Sequence, residues 1–127
     1  MLNWEYLRAL DFGVVWQYRW QLLQGFETTV LLLVASAVMG LVFGSMLAMA
    51  SQSKFTPLRW LVIIYVEFWR NTPLLVQLFW IHFALPIVTG INTTALQSGL
   101  IGITANVTAY FAEIVRAGIQ SVDRGQW

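Results

Sequence analysis

"TTVLLLVASAVMGLVFGSMLAMA", Thr28 to Ala50, carries no charged side chain, and the charge-free run continues to Ser53. A bilayer core of about 30 Å takes about 20 helical residues at about 1.5 Å each, so this run is sized for one crossing. A second charge-free run, Asn71 to Ala112, is about twice too long for one helix and must contain a turn. Working outward, the pattern predicts an all-α membrane protein with a transmembrane domain over 28–118, its three helices lying at about 28–50, 56–85 and 95–118. Composition agrees. Of 127 residues 58% are hydrophobic and 10% charged, against roughly a quarter charged in ordinary soluble domains.

The flanks set the orientation. Residues 1–27 are rich in Trp and Tyr and carry mixed charge, which suits an extracytoplasmic helix lying at headgroup level; a disordered leader is the other reading. Ala48-Met49-Ala50 imitates a signal-peptidase site, but the chain lacks the basic start that a cleaved signal needs. The connection Ser51 to Arg59 carries Lys54 and Arg59, whereas "PIVTGINTT", residues 86–94, has no basic residue. The excess of Lys and Arg on cytoplasmic loops then places Lys54, Arg59, Arg116 and Arg124 inside and the amino terminus outside. Arg8 and Arg19 fall on the outer side, accompanied by Glu5, Asp11 and Glu27.

Polar residues inside the spans are the candidates for function. Ser36, Gly40, Gly44 and Ala48 recur at every fourth position and form a ridge on which a second helix can pack closely, although small residues are common in membrane helices generally. Glu67 and Arg70 share a helical face and can pair. Arg70 either sits at the mouth of a polar pathway beside kinked backbone at Asn71-Thr72-Pro73 or snorkels to headgroups as an anchor. Gln77 follows Pro73 by one turn. In the third helix Asn106, Tyr110 and Glu113 recur at helical spacing with Arg116 beyond them, for interhelical hydrogen bonds or for solute. His82 has no second ligand at metal spacing and reads as a packed or interfacial histidine. Glu67-x-x-Arg70 and Glu113-x-x-Arg116 share a spacing, but their surroundings do not make a repeat.

Several classes are excluded. No cysteine is present, which removes disulfides, thiol catalysis and cysteine metal sites. No phosphate loop, nucleophile elbow, H-E-x-x-H pair or paired active-site carboxylates occur, so the chain is not read as an enzyme. A net charge of +1 with dispersed basic residues gives no nucleic-acid footprint. The Asn92 and Asn106 sequons are too short to carry weight.

"YVEFWRNTPLLVQLFWIHFALP" and "AYFAEIVRAGIQSVDRGQW" resemble signature segments of the permease subunits of bacterial polar amino acid ABC importers, the histidine, glutamine and glutamate type. "GFETTVLLLVASAVMGLVFG" matches that family's first span more loosely, and position 71 is Asn where glycine is usual. The resemblance covers about Gln24 to Trp127. It implies a five-helix subunit in the bacterial inner membrane, surrounded by lipid and paired with a like or related permease. An extracytoplasmic amino acid binding protein feeds it, and a cytoplasmic ABC ATPase drives it. ATP and Mg are used by that ATPase and no cofactor by this chain. It further implies that Arg70, Thr72, Pro73 and Gln77 shape the translocation pathway or its kinked wall, with Asn106 and Glu113 on the facing helix. Residues 119–127 begin the ATPase-coupling loop, through Ser121, Asp123, Gly125, Gln126 and Trp127. The family's Glu-Ala-Ala docking segment and last two helices would follow Trp127, so the chain is expected to be the amino-terminal part of a permease. The reading from another class is a small helical membrane scaffold or pore-forming protein without an ATPase partner, against which only the signature segments argue.

Overall fold

The computed structural model describes residues 12–122. Residues 1–11 of the expected interfacial segment, and Asp123, Gly125, Gln126 and Trp127 of the expected coupling approach, lie outside the described residues. The elements are α1 (Gly13–Gln17), α2 (Arg19–Ser51), α3 (Thr56–Asn71), α4 (Leu74–Phe79), a π-helical turn (Trp80–Ala84), α5 (Leu85–Thr89) and α6 (Ala95–Ser121). The described chain divides into two units after Leu31.

In the first unit the helix begins at Arg19, ahead of the start expected at Thr28. Thr28 and Thr29 donate back to the Gln24 and Gly25 carbonyls at 2.9 and 2.8 Å, so their hydroxyls are satisfied without interrupting the helix. The Arg19 guanidinium lies 4.7 Å from the Trp16 ring and 5.5 Å from the Trp20 ring. Its Nη1 donates to the Trp16 carbonyl at 2.9 Å.

In the second unit the buried residues of α2 are Ser36, Gly40, Gly44 and Ala48. A Cβ at Gly40 would stand 2.7 Å from Val107 Cγ1, and one at Gly44 would stand 2.6 Å from Phe111 Cβ and 2.9 Å from the Ala112 nitrogen. Only a missing side chain lets α2 approach α6 so nearly, and in lipid close packing is what drives association. The nearest neighbour of a Gly99 Cβ is Leu32. The contacts therefore advance in step, Leu32 with Gly99, Gly40 with Val107, Gly44 with Phe111, and the two helices run parallel.

After Ser51 a short turn, in which Phe55 N donates to Ser53 Oγ at 3.1 Å, leads to α3, which has a proline in its first turn. There the absent N–H is no loss. α3 lays Val62 and Val66 against Ala112 of α6, and the Tyr65 hydroxyl donates to the Ala105 carbonyl at 2.8 Å. α3 and the helix from Leu74 to Thr89 are bent by 105° at Thr72-Pro73, so the span expected over 56–85 is divided in two. Gly90, at φ +72°, ends α5 in the left-handed region that glycine enters without steric cost. Thr94 then opens α6 with a capping box, accepting from Gln97 N at 3.2 Å while its own N–H donates to Gln97 Oε1 at 3.0 Å.

α2 and α6 are each long and apolar enough to cross a membrane, and the bent pair adds a third crossing if it is one span. The parallel packing of α2 on α6 decides this. A chain that crosses by α2 and crosses again in the same sense by α6 must return in between, which makes the bent pair a broken crossing rather than a re-entrant loop.

Candidate functional site

The break begins with a missing donor. In an α-helix the N–H of residue 73 would bond to the carbonyl of Trp69, but Pro73 has none. In a membrane such a carbonyl must find another partner within the protein. It finds two. Gln77 Nε2 reaches the Trp69 carbonyl at 2.9 Å and the Thr72 carbonyl at 3.0 Å. Asn106 Nδ2, from α6, reaches the same Trp69 carbonyl at 3.1 Å and Gln77 Oε1 at 3.1 Å. Thr72 Oγ1 donates to the Phe68 carbonyl at 2.7 Å. Gln77 is 4% exposed; one turn after Pro73, its side chain folds back over the end of α3.

Both amide nitrogens are thereby fully engaged, and Asn106 Oδ1 accepts no hydrogen bond among the described residues. Gly102, one turn before Asn106, carries no side chain where Leu78 and Ile81 come in, a Cβ there standing 2.6 Å from Leu78 Cδ2. That close approach seats the second half of the broken span on α6 and brings Gln77 within reach of Asn106.

About 10 Å further along α6 lies a charged group. Glu113 receives Arg116 from its own helix at 2.6 and 3.3 Å and Arg70 from α3 at 3.9 Å. The Arg70 guanidinium stands 5.8 Å from the Tyr110 ring. The pair expected within α3, Glu67 with Arg70, is not the one formed. Asn71, one turn beyond Glu67, donates to its Oε2 at 2.7 Å, while Glu113 draws Arg70 across to α6. The side chains of Arg70, Glu113 and Arg116 remain about a third exposed, at 36%, 32% and 40%. In hydrocarbon such residues must face protein or water.

Of the residues singled out in the sequence, the fold thus joins Pro73, Thr72, Gln77 and Asn106 at the break and Arg70 and Glu113 beside it. The elbow also encloses a cleft of about 500 Å³, in which Thr72 and Gln77 lie among Phe68, Trp69, Trp80 and Leu85. Ser121 is apart from all of these, exposed at the end of α6 with its hydroxyl donating to the Gly118 carbonyl at 2.7 Å. His82 Nδ1 lies 2.9 Å from Ser98 Oγ, which in turn lies 2.7 Å from Thr93 Oγ1. This polar chain ties the π turn to the loop before α6, a link that no local spacing in the sequence specifies. Among the described residues no three His, Cys, Asp or Glu side chains gather as metal ligands do.

Comparison with known proteins places this geometry in context. Residues 40–127 match the family described as "Binding-protein-dependent transport system inner membrane component". The arginine transport system permease protein ArtQ of Bacillus subtilis (strain 168) is 35% identical, the match covering 83% of this chain and 48% of that protein. The L-cystine transport system permease protein TcyB of the same strain is 39% identical over 94% of this chain and 51% of its own length. The putative glutamine transport system permease protein GlnP of Rickettsia bellii (strain RML369-C) is 42% identical over 74% and 43%. A solved structure described as an amino acid ABC transporter with histidines superposes with a TM-score of 0.85 at 36% identity, covering 92% of this chain and 54% of that one. The chain spans about half the length of the curated relatives it matches.

Proposed function

We propose that the chain, which belongs to the family of binding-protein-dependent transport system inner membrane components, forms part of the translocation pathway of an ATP-driven amino acid importer. The observation that carries the reading is the broken crossing. The freed Trp69 carbonyl and its two amide partners lie close to the midpoint of α6. Transport proteins place their solute sites at this depth and build them on discontinuous helices, where irregular backbone lines a cavity.

In this reading Pro73, Thr72 and Gln77 form the kinked wall, and Asn106 holds it to α6. Arg70, Glu113 and the free Oδ1 of Asn106 face the solute. Arg70, Arg116 and Glu113 put charges of both signs on the wall, as a zwitterion's ammonium and carboxylate require once out of water. The names of the relatives and of the superposed structure support an amino acid as cargo. The implied partners are a second permease subunit, homologous or identical, an extracytoplasmic binding protein and a cytoplasmic ATPase that uses ATP and Mg. The amino terminus lies outside the cell, in the bacterial inner membrane, and Ser121 with Asp123, Gly125, Gln126 and Trp127 approaches the ATPase.

The test is uptake by the complete permease complex, purified with its ATPase, placed in proteoliposomes with ATP inside and supplied with binding protein. ATP-dependent accumulation of at least one amino acid from a panel of polar, basic and acidic members is the expected result. An assembled complex that hydrolyses ATP yet accumulates none of them would overturn the assignment.

A further inference from the structure

Glu67-x-x-Arg70 recurs as Glu113-x-x-Arg116, and the fold brings the two copies face to face. Arg70 reaches Glu113 at 3.9 Å, the one ion pair between helices among the described residues. Arg116 holds the same carboxylate from its own helix at 2.6 Å. Glu67 accepts from the Asn71 amide at 2.7 Å and acts on Arg116 through space, with no ion pair of its own among the described residues. Glu67, Glu113 and Arg116 line a cavity of about 140 Å³ together with Val62, Val66 and Ala112.

We infer that the two Glu-x-x-Arg units form an ion-pair exchange gate. Arg70 bonds to Glu113 while α3 and α6 are together, and to Glu67 when they part. The inference rests on the transport reading above. An arginine stripped of its counter-charge inside a bilayer is strongly disfavoured, so two helices carrying one charge each would be locked together. Here each helix carries its own acid and its own base. On separation Arg70 finds Glu67 three residues back on the same face and Glu113 keeps Arg116, so neither arginine is left without a carboxylate in either state. The longer Arg70 distance marks it as the loosely held member. It also lies two residues before Thr72, at the break, where a change of bend displaces it first. Glu67 and Arg116 are accordingly positioning residues, acting through Arg70 and Glu113.

The experiment uses the whole complex carrying a single Val66→Cys thiol, in a chain that has no cysteine of its own. Val66 is 6% exposed against α6, on the cavity lining, and meets a water-soluble thiol reagent faster when the helices part. Glu67→Gln withdraws the second partner of Arg70, and it is expected to slow both labelling and ATP-driven uptake by about fivefold or more. Glu67→Arg with Arg70→Glu sets an acid against Glu113, and labelling accelerates while uptake is lost. Adding Glu113→Arg with Arg116→Glu re-forms an opposite-charge contact, and both readouts return to within about twofold of the parent. A structural role of the individual residues gives no such rescue. Unchanged labelling in Glu67→Gln, or a fourfold reversal that labels like the twofold one, overturns the gate. If a reversed form does not assemble, the Glu67→Gln labelling decides alone. Labelling that follows this order in a complex without amino acid uptake would leave the gate in place and remove the transport reading. ATP-driven uptake with labelling indifferent to the substitutions would do the reverse.

Discussion

At the scale of single residues the decisive fact is one absent hydrogen. Pro73 orphans the Trp69 carbonyl, and two carboxamides replace the lost donor. Leaving a buried acceptor unpaired costs about 1–3 kcal/mol, so the amides are expected to differ by what each strands. Gln77→Leu strands the Thr72 carbonyl, leaves Trp69 with the Asn106 bond alone and should lower the melting temperature of the detergent-solubilised complex by several degrees. Asn106→Leu leaves Trp69 with its Gln77 bond and should cost about half as much. Pro73→Ala restores the N–H that Trp69 lacks, so it should cost less in the Gln77→Leu background than in the parent, a coupling that a double-mutant cycle reads directly. Additive losses would mean that the amides do not act through that carbonyl. Pro73 and Gln77, one turn apart, were visible in the sequence. Asn106 was visible as a polar residue on a helix, but not its partner, because nothing local specifies which helix turns toward which.

At the scale of elements, α6 is the helix on which the rest of the second unit is assembled, and glycines set how near its neighbours come. The clashes predict a ranking. A methyl at Gly44 meets Phe111 Cβ at 2.6 Å together with the Ala112 nitrogen and the Thr108 oxygen, both at 2.9 Å, and backbone atoms cannot move aside. At Gly102 the nearest atom, at 2.6 Å, is Leu78 Cδ2, the end of a flexible side chain, which can. Gly40 lies between, because Val107 Cγ1 at 2.7 Å belongs to a β-branched side chain whose Cβ stands at 3.2 Å. Gly44→Ala is therefore expected to destabilise by about 2–3 kcal/mol, Gly102→Ala by about 1 kcal/mol or less, and Gly40→Ala by an amount between them. Gly118→Ala, with nothing within 4 Å, should be neutral or gain a few tenths from helix propensity. Thermal unfolding of the four variants in one detergent checks the order; Gly118→Ala as the worst of them would refute the packing. Opening α6 by Thr94→Ala should cost about 1 kcal/mol and raise amide exchange in its first turn only. A fourth-residue spacing of small side chains can be read from any helix, because it needs only local period. The 105° bend, the π turn and the choice of Glu113 over Glu67 by Arg70 depend on contacts between distant residues, so the sequence held the parts without the angle or the pairing.

For the whole molecule the issue is how many times and in which sense the chain crosses the bilayer. Lys54 and Arg59 beside the first connection argue for a cytoplasmic loop there, while the parallel run of α2 and α6 requires their carboxyl ends to share a side. The two arguments are independent, one from charge and one from packing, and together they predict the connection after Ser51 and the end of α6 inside, with Gly90 and its neighbours outside. Single cysteines at Lys54, Ile91 and Gln120 test both at once in a chain free of native thiols. With a membrane-impermeant maleimide on intact cells, Ile91→Cys should label at once, and Lys54→Cys and Gln120→Cys only after permeabilisation. Were the bent pair to enter and leave by the same face, positions 54 and 91 would label together and 120 alone on the other side. Were the charge rule misleading, all three would invert together while the parallel packing survived. The pattern of labels thus separates an error in orientation from an error in the number of crossings. Only the expected pattern sets the Arg70–Glu113 contact between the midplane clamp and the cytoplasmic end of α6, where an inward-opening gate has to lie.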